Sequence, residues 1–269
     1  MANRAPRKPS RPRNEDLGAA DVLKHFADYF KRRFRAPLPS NYCCWDLETT
    51  GFRRDDDLIL EIGHCVVHDR EPVHRASTLL DWTRSKHVDQ GWLKDHLEQV
   101  KKDVELDADG NPSGRHFHIT YDRLRDEGKQ PEEVLAFYFD LFARIHNGGG
   151  FFLGQNSYAF DAEFFACQTE EFLGERFEFD SDVMIDVGGL EKSSQLGMIA
   201  FDDETLRTYF KRVAHYVRKG VKWNIEHCAN KYNLEEIHNI DLSKLHGAGE
   251  DSYVCHLVFE EIRKIIEGK

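Results

Sequence analysis

Residues 42–51 read Tyr42-Cys43-Cys44-Trp45-Asp46-Leu47-Glu48-Thr49-Thr50-Gly51. An apolar run passes into two carboxylates at i and i+2 and then breaks at Thr-Thr-Gly. The run itself predicts a strand over 42–47. Side chains two apart on a strand share a face, so Asp46 and Glu48 project together. Neighbouring anions repel unless a cation joins them or one binds a proton. Oxygen-only donors suit a hard divalent ion such as Mg²⁺ or Mn²⁺. By itself the pattern equally fits a strand ending in polar surface residues.

Working outward, 58–67 and 76–82 are further strands, and the three make a meander. Two short buried strands are expected at 151–154 and 183–187. Helical periodicity marks 89–105, 120–127, 131–145, 162–173, 202–219, 223–232 and 250–266. Asp109-Gly110-Asn111-Pro112 is a turn. Strands followed by helices interleaved with more strands predict an α/β fold, a mixed central sheet flanked by helices.

Two more acidic segments stand out. Gly154-Gln155-Asn156-Ser157-Tyr158-Ala159-Phe160-Asp161 follows the fourth strand and places Asp161 where a helix begins. A helix-capping acid is the plainer reading there. His246-Gly247-Ala248-Gly249-Glu250-Asp251 puts a histidine on a loop of small residues and Asp251 in a first helical turn. An acid complementing the helix dipole is again the plainer reading.

In this order and these contexts, the three segments resemble the DnaQ-like 3′→5′ exonucleases, a family of the ribonuclease H-like superfamily. Asp46 and Glu48 match its first motif, Asp161 its second and Asp251 its third. His246 lies five before Asp251, as in the His (DEDDh) subtype; the Tyr subtype would need a tyrosine at the position of Gly247. Leu60-Glu61-Ile62-Gly63 and Ile119-Thr120 are also similar to the family. The resemblance covers most of 41–267, with insertions near 84–116 and 188–222. It implies that Asp46, Glu48, Asp161 and Asp251 hold two divalent ions, Mg²⁺ or Mn²⁺. It implies His246 as general base and nucleoside 5′-monophosphates as products, released from the 3′ end of DNA or RNA. Leu47 and Thr49 would line the terminal nucleotide, with Asn156 and Phe160 close to the strand. Two other readings compete: a catalytically silent nucleic-acid or partner-binding module on the same fold, and a ribonuclease H-type endonuclease.

Composition frames these readings. The chain has 269 residues with 37 basic and 48 acidic side chains, net −11, and a mean hydropathy of −0.62. A net negative charge usually argues against nucleic-acid binding. The charge is divided, however: 1–37 carry ten Lys/Arg and four Asp/Glu, and the acidic excess lies in 38–269. Residues 1–14 read as a basic disordered tail. Residues 15–37 read as an amphipathic helix with Val22, Phe26, Phe30 and Phe34 on one face, suited to fold back on the body, support a homodimer or dock a polymerase-type partner. Residues 38–269 form the main domain. Lys211, Arg212, Arg218, Lys219 and Lys222 make its best basic patch for a nucleic-acid backbone.

Trp82, Trp92 and Trp223 are candidates for base stacking or for packing. Asp186 closes a strand, where it either supports the metals from behind or is an ordinary strand-terminal acid. Six cysteines without a Cys-x-x-Cys pair fit a reducing, cytoplasmic setting. No run approaches the roughly 18 apolar residues that span a bilayer, so no membrane partner is expected.

Overall fold

The computed structural model describes residues 17–106, 110–111, 116–242 and 245–269. The basic tail at 1–14 lies outside these residues, as do Asp109 and Pro112 of the expected turn. Five strands, β1 (Tyr42–Thr49), β2 (Ile59–His68), β3 (Glu71–Leu79), β4 (Phe151–Gly154) and β5 (Met184–Asp186), form one sheet in the order β3-β2-β1-β4-β5. β1, β2 and β3 are an antiparallel meander, while β4 and β5 run parallel to β1. The architecture is the expected α/β one, a mixed sheet flanked by helices. β1 is central, and Tyr42, Cys43, Cys44, Trp45 and Leu47 are all buried. A strand covered on both faces reads as a continuous apolar run rather than an alternation.

The helices are α1 (Ala19–Phe34), α2 (Gln90–Glu105), α3 (Tyr121–Glu127), α4 (Pro131–Asn147), α5 (Asp161–Leu173), α6 (Val187–Leu196), α7 (Leu206–His215), α8 (Ile225–Lys231), α9 (Leu234–His238) and α10 (Ala248–Glu267). α10 packs on β1 and β2. α1 lies on α6 and α10, and its aromatic face reaches α7 and β4. Phe26 stacks on Tyr209 at 5.8 Å, and Phe30 and Phe34 each sit 5.2 Å from Phe151. The Tyr29 hydroxyl donates to the Glu204 carbonyl at 2.8 Å, and Arg33 Nε donates to Asp182 at 2.7 Å. Of the roles open to this helix, the structure shows it folded back on the body.

Three elements differ from expectation. β3 starts at Glu71, not at 76, because Asp69 and Arg70 form a two-residue reversal with φ of 50° and 72°. Hairpin turns of this hand usually announce themselves with Asn-Gly or Asp-Gly, and neither is present. Trp82 leaves the strand for a short 3₁₀ turn (Trp82–Arg84), fully buried, with its indole donating to the Ile59 carbonyl at 2.6 Å. It is a packing residue. The helix expected over 202–219 is shorter, running Leu206–His215 behind a Thr205/Thr208 capping box.

α6 has no counterpart in the periodicity. Its Gly188, Gly189, Ser193 and Ser194 are weak helix formers, and burial decides the outcome. A Cβ at Gly188 would lie 1.8 Å from the Gln155 side chain, and one at Gly189 2.6 Å from Phe210. All six cysteines are free thiols. Among the described residues, no helix is long and apolar enough to cross a membrane.

Candidate active site

The C-terminal half of β1 delivers the first two carboxylates. Asp46 pairs across the sheet with Gly63 and Glu48 with Glu61. The third arrives on α10, and its approach explains the Leu60–Gly63 segment. A Cβ at Gly63 would lie 2.1 Å from the backbone of Ala248, so only glycine lets the start of α10 lie against β2. Glu61 then accepts from the Ala248 N–H at 3.1 Å and pins the helix terminus. One carboxylate oxygen each from Asp46, Glu48 and Asp251 thereby fall within 4.8 Å of one another.

Asp161 opens α5 and is 2% exposed, with Oδ2 buried and without a hydrogen-bond partner. Its charge acts on both β1 carboxylates. Burial, then Asp161, Asp251 and Glu48, hold Asp46 well above the ordinary carboxylate range. Burial, then Asp251, Glu61 and Asp161, do the same to Glu48. Burial and Asp186 raise Asp161. Asp251 is pushed up to about 7, chiefly by burial, although it accepts the His246 N–H at 3.2 Å.

Among the described residues, no cationic side chain neutralises this cluster in the way ion pairs do elsewhere in the fold. Like charges crowded in low dielectric, with an orphaned buried oxygen among them, fit a site for divalent cations. The donors are all oxygen, which favours a hard ion.

His246 sits at the mouth with φ of 75°, an uncommon backbone setting for a non-glycine residue. It lines a cavity of about 580 Å³ together with Leu47, Glu48, Thr49 and Phe160. The expected substrate contacts Leu47, Thr49 and Phe160 are therefore brought together beside Glu48. Thr49 Oγ1 donates to the Gly51 carbonyl at 2.7 Å.

Asn156 is placed differently. Its backbone is left-handed at φ 61°, and its N–H donates to Asp186 at 3.0 Å. It lines a second cavity, of about 690 Å³, next to Trp223. Asp186 also accepts from the Gly189 N–H at 2.7 Å. It holds the turn before Asp161 from behind, and burial raises its own pKa to about 6.

The far wall of the first cavity is α2, the helix expected over 89–105 within the first insertion. His96 Nε2 donates to the Thr50 carbonyl at 2.7 Å, and its ring stacks on Trp92 at 4.9 Å. Asp57, nearly buried, accepts from Thr50 Oγ1 and from the Arg53 N–H and fixes the loop after β1. The helical periodicity of 89–105 could mark an element; nothing local marks where it packs.

The basic patch is divided. Arg212 pairs with Glu204 at 2.7 Å and Lys211 lies 3.8 Å from Glu163. Arg218, Lys219 and Lys222 are exposed on the loop after α7.

No protein-family model and no curated protein sequence matches the chain. Solved structures do. E. coli exonuclease I in complex with a dT13 oligonucleotide superposes with a TM-score of 0.51 at 13% identity, over 86% of this chain and 42% of that one. A product-bound exonuclease I gives 0.51 at 12% identity, over 86% and 46%. The zinc-bound E. coli exonuclease I–single-stranded DNA complex gives 0.50 at 14%, over 86% and 42%. This chain spans less than half the length of those chains. At such identities the likeness is one of fold, and the fold is the ribonuclease H-like α/β fold.

Proposed function

We propose that this protein is a metal-dependent 3′→5′ exonuclease of the DEDDh type that releases nucleoside 5′-monophosphates from single-stranded DNA or RNA. One observation carries the reading: carboxylates from β1 and α10 converge within 4.8 Å, beside a buried and partnerless Asp161 oxygen, at one end of a ribonuclease H-like sheet. The similar solved structures are exonucleases, two of them complexed with single-stranded DNA.

Asp46, Glu48, Asp161 and Asp251 would hold two divalent ions, Mg²⁺ or Mn²⁺. When bound, such a pair supplies Lewis-acid stabilisation of the charge that develops on the phosphate and on the leaving 3′ oxygen. The chain's own groups do the rest. Leu47 and Phe160 take the terminal nucleoside into the cavity between β1 and α2, and Thr49 lies beside it. His246, at the mouth, takes a proton from the attacking water, the general-base task that histidine most often fills. Water oxygen bonds to phosphorus, the bond to the 3′ oxygen breaks, and that oxygen is protonated from solvent. Residues 38–269 are read as the catalytic domain, with the basic 1–14 tail and the 15–37 helix ahead of it.

The test is degradation of a 5′-labelled single-stranded oligonucleotide with Mg²⁺ or Mn²⁺. A ladder shortening one nucleotide at a time from the 3′ end is expected. Internal cuts would favour the endonuclease reading, and an inert wild type would favour the silent binding module.

A further inference from the structure

The cavity beside Trp223 lies outside the carboxylate cluster but adjoins it through Asn156, five residues before Asp161. Its outer wall is the loop after α7 and the start of α8. Trp223 is half-buried and held on both its parts. Lys192 Nζ lies 4.6 Å from the ring centroid, and Gln155 Nε2 donates to the Trp223 carbonyl at 2.5 Å. Lys192 is itself fixed by donating to the Ala214 carbonyl at 2.8 Å. An indole immobilised in this way loses little freedom on stacking.

The polar lining is rich in amides with open valences. Gln155 Oε1 is buried and lacks a hydrogen-bond partner. Asn224 uses Oδ1 to cap α8, and Asn230 uses Nδ2 on the Glu226 carbonyl. Among the described residues, the opposite amide atom of each takes no partner. Amides present a donor and an acceptor in one plane, the complement of a nucleobase edge. Lys222, exposed at the rim, adds a cation suited to one phosphate.

We propose that this cavity is an upstream nucleotide subsite: a base of the single strand stacks on Trp223 and meets the Gln155, Asn224 and Asn230 amides, while Lys222 takes its phosphate. The proposal rests on the exonuclease reading above and extends it. The terminal nucleotide occupies the cavity beside Glu48, and the strand passes over Asn156 into the second cavity. Specificity for strands longer than one residue then comes from the 188–222 insertion and the loop that follows it.

The experiment compares two substrates with Mn²⁺. The p-nitrophenyl ester of thymidine 5′-monophosphate fills the terminal position and carries no base or phosphate upstream of its aryl leaving group, whereas dT8 reaches the second cavity. Trp223→Ala should lower kcat/KM on dT8 by about 5- to 150-fold, the usual worth of one base–aromatic stack, with the loss concentrated on dT8. Trp223→Phe should recover most of it. Lys222→Gln should lower the slope of log kcat/KM against log salt by about 0.7, the share of one phosphate contact on a single strand. Equal losses on both substrates, or none on dT8, would overturn the subsite while leaving the exonuclease reading intact. A wild type inert on both would overturn both.

Discussion

β1 and α10 meet twice, and the two meetings are built on opposite principles. At the start of β1, the Tyr42 hydroxyl donates to Glu260 at 2.9 Å and contacts His256 Nδ1 at 2.8 Å. Glu260 also accepts from Arg70 at 2.8 Å and Arg263 at 3.1 Å, and Arg263 reaches the Leu38 and Pro39 carbonyls. Every charge there faces its opposite. A few residues along the same strand and one end of the same helix, Asp46, Glu48 and Asp251 face each other. The first cluster ties the two elements together. The second pushes them apart unless a cation is supplied, which is the arrangement expected where function, rather than stability, sets the residues.

The contrast can be broken from either end. Asp46→Asn or Asp251→Asn should leave the far-UV spectrum unchanged and lower hydrolysis at least about a thousandfold, near 4 kcal/mol of transition-state stabilisation. Retained turnover in the purified variant would remove these residues from the chemistry. His246→Ala should lower kcat by roughly two to four orders of magnitude with a smaller change in KM; a near-normal kcat excludes it as the base. At the satisfied end, Glu260→Ala leaves the buried Arg263 without its paired carboxylate, while Arg70 keeps Glu267, and should cost about 3 kcal/mol in urea unfolding, with kcat of the folded fraction kept. A loss below 1 kcal/mol would mean that the network is ornamental.

Smaller effects sharpen the comparison. A divalent ion at a hundred times its Kd should stabilise the wild type by about 2.7 kcal/mol, read as a rise in Tm. The shift should largely vanish in Asp46→Asn. Finally, burial and repulsion lift the site carboxyls, Asp251 to about 7. Folded protein therefore holds protons that the unfolded chain releases above about pH 4. Metal-free stability falls as pH rises through that window. Asp46→Asn should thus raise metal-free stability at pH 8 by about 1 kcal/mol and do little at pH 4. A destabilised variant at pH 8 would contradict the repulsion.

Much of this was legible in order and spacing. Asp46 and Glu48 share a strand face by geometry alone, and the meander, β4, α5 and α10 follow from periodicity and breaks. The resemblance added which distant acids belong together; no local pattern links Asp161 or Asp251 to β1. What escaped reading depends on contacts far apart in sequence. α6 forms against propensity because it is buried almost along its whole length, with Gly188 and Gly189 packed against Gln155 and Phe210. The Asp69–Arg70 reversal uses residues without a turn signature. Asn156 reads as a companion of Asp161, yet its neighbours in space are Asp186 and the Trp223 loop. The basic run after 209 reads as one patch, but Glu204 and Glu163 remove two of its members.

The packing of α1 has a consequence for biosynthesis. Its aromatic face is completed by residues far downstream: Tyr29 and Glu204 are 175 positions apart. A ribosome adding about 5–20 residues per second leaves Phe26 and Phe30 without their native cover for roughly ten to thirty-five seconds. α1 is made well before the elements that shelter it, so the nascent chain presents a sticky amphipathic segment throughout synthesis of its own sheet. Chaperone dependence in the cell should therefore track α1, and polar replacement of Phe26 would trade nascent-chain solubility against the finished core.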